Sequence, residues 1–326
     1  MGKVDKNDEV LKLLKTLVEI QSPTGKEEEL KNFVRDYLLD LGYEVIEAEK
    51  YLFTKGNPKL VVATHLDTVP IKAPFSTDET FAYGTGVCDA KAGLTAMLLA
   101  AKSGINYTLA FFCDEEEDGT GSAEFIKNWK GGKYAIVLEP TNLAIASLHY
   151  GSVEVILEVK GELAHGACPE AGKNAIDMAI EAISNLRSLG FLVNPLKISG
   201  GGDEYVIPEK CKVKVEVFVP PQALSISKIL SSLAFLQNYG KVKVEAVFPG
   251  CTSKEVHKLL EKAIKAVRGF VSYTVMRSWT DALNLMQKLD VVVWGPGELS
   301  LCHTEKEFIS LREVEICRKV LEKLRI

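Results

Sequence analysis

The chain has 326 residues, of which 47% are hydrophobic and 25% charged, with a formal net charge of -5. This length and composition allow one large core or two medium-sized ones, and we expect two domains. The charges of both signs are interspersed rather than gathered into a basic face, which argues against a nucleic-acid-binding protein.

The residues at hand predict neither a signal peptide nor a metal-binding cysteine pattern. The first ten residues are polar and charged, without the apolar stretch of a signal peptide. No apolar run approaches the roughly 20 residues that a membrane helix needs. We therefore expect a cytoplasmic protein that does not enter a membrane. The seven cysteines include no C-x-x-C pair, which argues against a disulfide framework and a zinc ribbon.

The first half of the chain alternates predicted helices and buried strands. Apolar residues at helical spacing predict a helical hairpin at residues 12–18 and 27–41. Short apolar runs predict strands covered on both faces, and helices are predicted between them; the strands are residues 60–64, 107–113 and 135–138, and the helices residues 93–101 and 123–129. This alternation predicts an α/β fold.

The pattern changes after Gly151 and returns after Cys251. Residues 152–160, 212–219 and 241–247 alternate apolar and polar positions around a predicted helix at residues 175–189, which favours an α+β module with one exposed sheet face. An amphipathic segment at residues 253–267 and an apolar run at residues 291–294 then restore the covered-sheet pattern. We therefore predict a catalytic domain of residues 1–148 and 252–326, and an inserted domain of residues 149–251.

Acidic and histidine side chains stand at the ends of several of these apolar runs. Because open α/β sheets gather their ligands at one edge, such residues are expected to meet there. The distribution predicts a metal site, and its candidate residues are His65, Asp67, Asp89, Glu115, Glu116, Glu139 and His303.

Each fragment alone has a simpler interpretation. His65 and Asp67 could form a structural hydrogen-bonded pair, and Asp89 could cap the helix that follows it. The glycines around Asp89 lack the G-K-[ST] of a phosphate-binding loop. Cys88 and Cys302 precede candidate ligands, but strand alternation favours their packing in the core.

The acidic run at residues 114–118 is the most informative local feature. Like charges crowd the end of a predicted buried strand, which is costly unless a cation or a shared proton relieves it. A dication would neutralise one carboxylate while a neighbour stays free to accept a proton, as hydrolytic metal sites require.

Six segments occur in a recognisable order along nearly the whole chain. They are Thr64-His65-Leu66-Asp67-Thr68-Val69-Pro70, Gly86-x-x-Asp89-x-Lys91-x-Gly93, Asp114-Glu115-Glu116, Glu139-Pro140, Gly161-x-x-Ala164-His165 and His303-Thr304-x-x-Glu307. Together they resemble the M20 family of metallo-aminoacylases and exopeptidases. The resemblance implies a mixed-sheet, zinc-exopeptidase-like catalytic domain with an inserted ferredoxin-like α+β domain that acts in lid closure or dimerisation.

The resemblance also implies roles for the site residues. Asp89 would bridge two Zn²⁺ or Co²⁺ ions, and Asp67 would orient His65. Glu115 would act as the general base that takes a proton from the attacking water and passes it to the leaving amine. The remaining ligands would be His65 and Glu139 for one ion, and Glu116 and His303 for the other.

Further implications concern assembly and substrate. In family members that dimerise through the inserted domain, the counterpart of His165 stabilises the oxyanion in the partner's site. Arg277 would pair with a substrate carboxylate through its planar guanidinium. Three places depart from the family pattern: Thr85, Trp279 and the segment Phe218-Val219-Pro220-Pro221, which lacks the usual arginine before its prolines. These departures concern substrate contacts and domain closure rather than metal ligands.

The Gly295-Pro296-Gly297 segment and the surroundings of His303 are most similar to the branch that releases lysine and ornithine from the carrier protein LysW, in which a γ-glutamyl amide is cleaved. A free N-acetylornithine or N-acetyl-lysine deacetylase is the alternative, followed by a dipeptidase or carboxypeptidase. A non-enzymatic scaffold is disfavoured, because it has no need for Glu115 beside a ligand.

Overall fold

The structure of the protein is a computed structural model that describes residues 6–221 and 226–326. The expectation for the first ten residues therefore lies partly outside the described residues. The chain divides into two compact units. The first unit contains Met1–Leu148, Thr252–Met276 and Thr280–Ile326, and the second contains His149–Cys251 and Arg277–Trp279.

Helices and strands alternate through most of the described residues. The α-helices are α1 (Lys6–Glu19), α2 (Glu28–Asp40), α3 (Lys91–Ala101), α4 (Thr120–Asn128), α5 (Ala175–Ser188), α6 (Ile226–Ser232), α7 (Val256–Arg268), α8 (Ala282–Leu285) and α9 (Leu311–Leu321). Short 3-10 helices lie at Pro169–Ala171, Ala234–Asn238 and Leu299–Leu301. The strands are β1 (Val45–Glu47), β2 (Tyr51–Thr54), β3 (Asn57–His65), β4 (Ser76–Thr77), β5 (Phe81–Tyr83), β6 (Tyr107–Phe112), β7 (Tyr134–Val137), β8 (Ile145–His149), β9 (Gly151–Lys160), β10 (Ala164–His165), β11 (Leu192–Gly200), β12 (Val206–Ile207), β13 (Lys210–Val219), β14 (Gly240–Phe248), β15 (Cys251–Thr252), β16 (Tyr273–Met276), β17 (Asp290–Val293) and β18 (Phe308–Ser310).

A large mixed sheet forms the centre of the first unit. Its strands follow the order β1-β2-β6-β3-β7-β17-β8-β15, and β16 also pairs with β8. The central strands β6, β3, β7 and β17 run parallel, whereas β1 and β2 are added antiparallel at one side. The carboxyl ends of the parallel strands therefore meet at one edge of the sheet.

Both faces of this sheet are covered by packed side chains. In β3, Val62 lies in the core that contains residues of α1, α3 and α9, whereas Val61 and Ala63 lie in the core that contains residues of α4 and α8. Because neither face of the central strands meets water, alternation is lost and the strands appear in the sequence as continuous apolar runs. The predicted α/β fold with a mixed sheet is confirmed.

The second unit has a four-stranded antiparallel sheet in the order β11-β13-β9-β14. Alternate apolar residues of β9, such as Val155 and Leu157, pack in one core with Ala179 and Ala182 of α5. The alternate positions on the other face are Glu154, Ile156 and Glu158, and Glu154 pairs with Lys214 at 2.8 Å. Alternation is therefore retained in these strands, as expected for a sheet with one exposed face. A lid or dimerisation role for this unit stays a prediction.

None of the helices within residues 6–221 and 226–326 is long and apolar enough to cross a membrane.

Candidate metal centre

The carboxyl edge of the parallel strands carries three of the five predicted ligands, together with the predicted base Glu115. β3 ends at His65, the loop after β6 contains Glu115 and Glu116, and Glu139 follows β7 by two positions. Because β3 lies between β6 and β7, these side chains come from three neighbouring strands. Fold topology thus explains why residues far apart in sequence converge.

Asp89 lies between the two histidines of the centre. Its Oδ1 is 3.1 Å from Nε2 of His65, and its Oδ2 is 3.4 Å from Nε2 of His303. The same His303 nitrogen is 3.0 Å from the Glu116 carboxylate, and Nε2 of His65 is 3.9 Å from Oε2 of Glu139. Asp89 is not the N-cap of α3, since the cap residue is Ala90, which makes no side-chain capping hydrogen bond.

Two groups of side chains could each hold a cation, and Asp89 belongs to both. The first group is His65, Asp89 and Glu139, and the second is Asp89, Glu116 and His303; within each, the candidate ligand atoms lie within 4.8 Å of one another. A third group overlaps them and contains His65, Glu115 and Glu116. Imidazole nitrogens with carboxylate oxygens suit Zn²⁺ or Co²⁺. The structure therefore brings all the predicted ligands together, while their binding of metal stays a prediction.

The charge balance of this cluster also fits a cation. Burial raises the pKa of Glu115 and Glu139 well above the usual range, and neighbouring carboxylates add to this effect while His65 opposes it. Hydrogen bonds to Asp89 and Glu116 raise the pKa of His303 to about 10. Oε1 of Glu139 is buried and has no hydrogen-bond partner among the described residues. A buried carboxylate oxygen left without a donor is costly, and a bound cation would satisfy it.

Asp67 supports the acidic loop as well as the first histidine. Its carboxylate accepts the backbone N–H groups of Glu115 and Glu116, each at 3.0 Å, and the Thr24 hydroxyl at 2.9 Å. Nδ1 of His65 lies 2.9 Å from the backbone oxygen of Asp67 and 3.5 Å from its carboxylate. When Nδ1 donates to this backbone oxygen, Nε2 is free to bind a metal. The backbone oxygen of Asp67 therefore helps to orient the His65 ring, a role that the family resemblance implied for the Asp67 side chain.

The loops that carry the ligands have unusual backbone conformations. His303 and Asp114 adopt φ values of 63° and 67°, in the left-handed region that residues other than glycine rarely occupy. The peptide bond between Asp89 and Ala90 is cis. The amide of Asp114 donates to the buried Glu27 carboxylate at 3.1 Å, which helps to hold the start of the acidic loop.

Sequence reasoning missed the supporting roles of Thr24, Glu27 and Glu307. Thr24 and Glu27 lie ahead of α2, far in sequence from the loops they contact, and no local pattern indicates those contacts. Glu307 was visible in the His303-Thr304-x-x-Glu307 segment but received no role. Its position four residues after a candidate ligand was the available signal.

Cys88 and Cys302 are buried, as expected, and their thiols hydrogen-bond each other. The reason given for their burial was wrong. Both residues lie outside the strands of the structure, so strand alternation does not set their direction. They pack because their two loops meet beside Gly297, where an added Cβ would lie 2.1 Å from Sγ of Cys88.

His165 and Arg277 belong to the second compact unit, whereas the ligand cluster belongs to the first. His165 is exposed, its ring stands edge-on to Tyr205 at 5.5 Å, and its Nδ1 accepts the Ala167 amide at 3.2 Å. Arg277 is also exposed, with its guanidinium 6.0 Å from the Tyr150 ring centre. The roles assigned to these two residues stay predictions.

Comparison with known proteins establishes the family. The family model of Peptidase family M20/M25/M40 matches residues 61–325. The chain belongs to this family. The predicted M20 membership is therefore confirmed, and so is the class of enzyme, a hydrolase of a metal-dependent family whose members typically use two metal ions.

Individual M20 relatives and structures are similar over most of their length. A [LysW]-lysine/[LysW]-ornithine hydrolase of Sulfurisphaera tokodaii is 25% identical over 94% of this chain and 92% of its own. An uncharacterised metallohydrolase of Methanocaldococcus jannaschii is 28% identical over 83% of each chain. The crystal structure of a tripeptidase from Staphylococcus aureus covers 99% of this chain and 98% of its own, with a TM-score of 0.83 at 21% identity. That last similarity concerns the fold alone.

Proposed function

We propose that this M20 enzyme is a dinuclear amide hydrolase that releases lysine, ornithine or both from the carrier protein LysW. The observation that carries the hydrolase chemistry is the pair of three-residue groups that share Asp89, with Glu115 in a third group that overlaps them. The substrate part is supported by the name of the Sulfurisphaera tokodaii relative and by the sequence around His303.

The proposed ligands and Glu115 have different roles in the reaction. Zn²⁺ or Co²⁺ held there would bring the pKa of water to about 7 and polarise the scissile carbonyl. Glu115 is buried just beyond the end of β6, where its carboxylate would accept a proton from the attacking water. The same carboxyl then gives this proton to the leaving nitrogen as the C–N bond breaks.

The proposal includes a homodimer in which His165 of one copy serves the metal centre of the other. His165 is exposed, which leaves its ring available to a second molecule. Mixing His165→Ala protein with Glu115→Gln protein tests this arrangement. If the two variants exchange subunits, one site of the mixed dimer combines an intact Glu115 with an intact His165, and activity should return. Variants that stay inactive after mixing would contradict the shared site.

Arg277 is proposed to bind the carboxylate of the amino acid being released. Its exposed guanidinium can form two parallel hydrogen bonds with a carboxylate, a geometry that lysine does not reproduce. We expect Arg277→Lys to raise KM more than it lowers kcat. An unchanged KM for Arg277→Lys would remove this residue from the substrate site.

The substrate is tested with a panel of amides. The metal-loaded enzyme is incubated with LysW-linked lysine and ornithine, their Nα-acetyl forms and a tripeptide, and the released amino acid is quantified. Glu115→Gln serves as the inactive control, and Glu117→Gln, which changes an exposed acid of the same run, serves as the matched active control. Rapid release from the carrier alone supports the proposal.

A peptidase is the second candidate, because the family model that matches residues 61–325 describes a family of peptidases. Cleavage of the tripeptide in preference to the carrier amides would favour it. Preference for the acetyl compounds would instead indicate a free N-acetylornithine or N-acetyl-lysine deacetylase. Either outcome would leave the proposed metal chemistry in place and change only the proposed substrate.

A further inference from the structure

The carboxylate of Glu307 accepts hydrogen bonds from several backbone N–H groups of the loop that carries Asp89. Its Oε1 accepts the N–H groups of Cys88 at 2.9 Å and Asp89 at 3.2 Å, and the amide of Gly86 also bonds to this carboxylate. Only 1% of Glu307 is exposed. A buried anion surrounded by convergent backbone amides resembles an anion-binding nest, except that the anion here belongs to the protein itself.

The backbone around Glu307 joins the same two parts of the chain. Its carbonyl oxygen accepts the N–H of Gly84 at 3.1 Å, and the next residue, Phe308, pairs with Tyr83 in the small β18-β5-β4 sheet. Glu307 follows His303 by four positions. The loop of Asp89 is therefore fastened to the loop of His303 through both the side chain and the main chain of one residue.

The loop of Asp89 depends on these hydrogen bonds because it contains no helix or strand that would satisfy its backbone amides. Residues 84–90 lie between β5 and α3, and both Gly84 and Gly86 have positive φ values, 128° and 82°. Buried amides in such a loop must find acceptors, and an ionised carboxylate is a stronger acceptor than a neutral one. A single carboxylate here satisfies several amides at once.

We propose that Glu307 is a positioning residue that sets the distance between the shared ligand Asp89 and His303. Asp89 stands 3.1 Å from His65 and 3.4 Å from His303, so a shift of its loop changes both three-residue groups together. Residues that orient metal ligands without touching the metal typically contribute about 10- to 100-fold to metal affinity. Glu307 contacts the loop and not the proposed ions, which distinguishes it from a sixth ligand.

This inference rests on the proposed metal centre. Measurements of Co²⁺ binding distinguish a failure of the Glu307 proposal from a failure of the metal-centre proposal. Metal-free protein is titrated with Co²⁺ while the visible absorption spectrum, the number of ions bound and their affinities are recorded. The variants are Glu307→Gln, which loses the charge, and Glu307→Asp, which retains it on a shorter side chain. Glu305→Gln changes an exposed acid of the same loop and is the matched control.

We expect Glu307→Gln to weaken Co²⁺ binding about 10- to 100-fold and to change the visible spectrum, with Glu307→Asp intermediate and Glu305→Gln unchanged. A wild-type spectrum and wild-type affinities in a folded Glu307→Gln protein with a lower Tm would show a purely structural role and overturn the proposal. If Glu307→Gln does not fold, the same criteria apply to Glu307→Asp. Wild-type protein that binds no Co²⁺ would instead refute the metal centre itself.

Discussion

The carboxylate of Asp67 accepts the backbone amide of Glu115 at 3.0 Å, so the proposed general base is held by a residue that stands two positions after a proposed metal ligand. A second oxygen of Asp67 holds Glu116 in the same way at 3.0 Å. The strand β3 and the acidic loop after β6 are therefore linked by one buried side chain. The geometry of the proposed catalytic site therefore includes backbone hydrogen bonds as well as the proposed ligands.

Asp67→Asn should lower kcat about 10- to 100-fold, in the range typical of residues that support metal ligands. Asparagine keeps one acceptor oxygen but turns an NH₂ group toward the second amide, which leaves two donors facing each other. An unsatisfied buried donor costs about 1–3 kcal/mol. Steady-state kinetics together with urea unfolding of the metal-free protein measures both effects. Thr24→Val removes only the hydroxyl bond to Asp67 and should have a smaller effect; equal kinetics for the two variants would contradict this account.

Glu115→Gln should lower kcat about 10²- to 10⁴-fold, the usual contribution of a general acid–base group. The amide cannot accept and return the proton, yet it keeps nearly the same shape. The number of bound ions, measured by mass spectrometry of the metals, should stay at the wild-type value. Glu117→Gln is the control, because Glu117 is exposed in the same acidic run. Loss of metal from Glu115→Gln would make Glu115 a ligand rather than a base.

Asp89→Asn and Glu139→Gln should differ in the number of ions lost. Asp89 belongs to both three-residue groups, whereas Glu139 belongs to only one of them. We therefore expect Asp89→Asn to weaken binding of both ions and Glu139→Gln to weaken mainly one. Calorimetric titration of metal-free protein resolves the two binding steps. Retention of one tight ion in Asp89→Asn would mean that Asp89 is not shared.

The positions of the main ligands could be predicted because parallel strands buried on both faces are continuous apolar runs. His65, Glu116 and Glu139 stand just beyond such runs, so the expectation of a common edge needed no knowledge of side-chain packing. Asp89 and His303 were also expected at the ends of apolar runs, but both lie in loops outside the strands of the central sheet. Their specific ligand roles were predicted from the family resemblance.

The supporting contacts could not be predicted, because they join segments far apart in the chain through backbone amides. Every residue except proline carries such an amide, so Glu307 binding the amides of Cys88 and Asp89 produces no sequence pattern. The strands β1 and β5 were also missed. Each has only three residues, and neither is fully buried, so no apolar run marks them.

Gly295→Ala should disturb the centre through the backbone of Glu139. A Cβ at position 295 would lie 2.6 Å from the Glu139 carbonyl oxygen, a contact that backbone atoms cannot relieve without shifting. We expect a lower Tm and weaker binding of metal, since Glu139 is a proposed ligand. Gly202→Ala is the matched control, because a Cβ there meets no atom within 4 Å. Wild-type metal affinity in Gly295→Ala would show that the loop adjusts without moving Glu139.

His149 should make the free energy of unfolding depend on pH between about 7.5 and 5.5. It is 1% exposed, and burial lowers its pKa to about 4 from the ordinary 6.5. The unfolded chain therefore binds a proton at a pH where the folded protein does not, so stability is full above about 6.5 and falls as the pH drops toward 4.

Between pH 7.5 and 5.5 this difference amounts to about 1.4 kcal/mol. His149→Gln cannot bind the proton, and its packing cost is the same at both pH values. Urea unfolding at the two pH values should therefore give a stability difference between wild type and variant that shrinks by about that amount on acidification. Parallel pH profiles for the two proteins would mean that His149 is protonated in the folded state and that its bond to the Tyr150 carbonyl oxygen, at 2.6 Å, holds the charged ring.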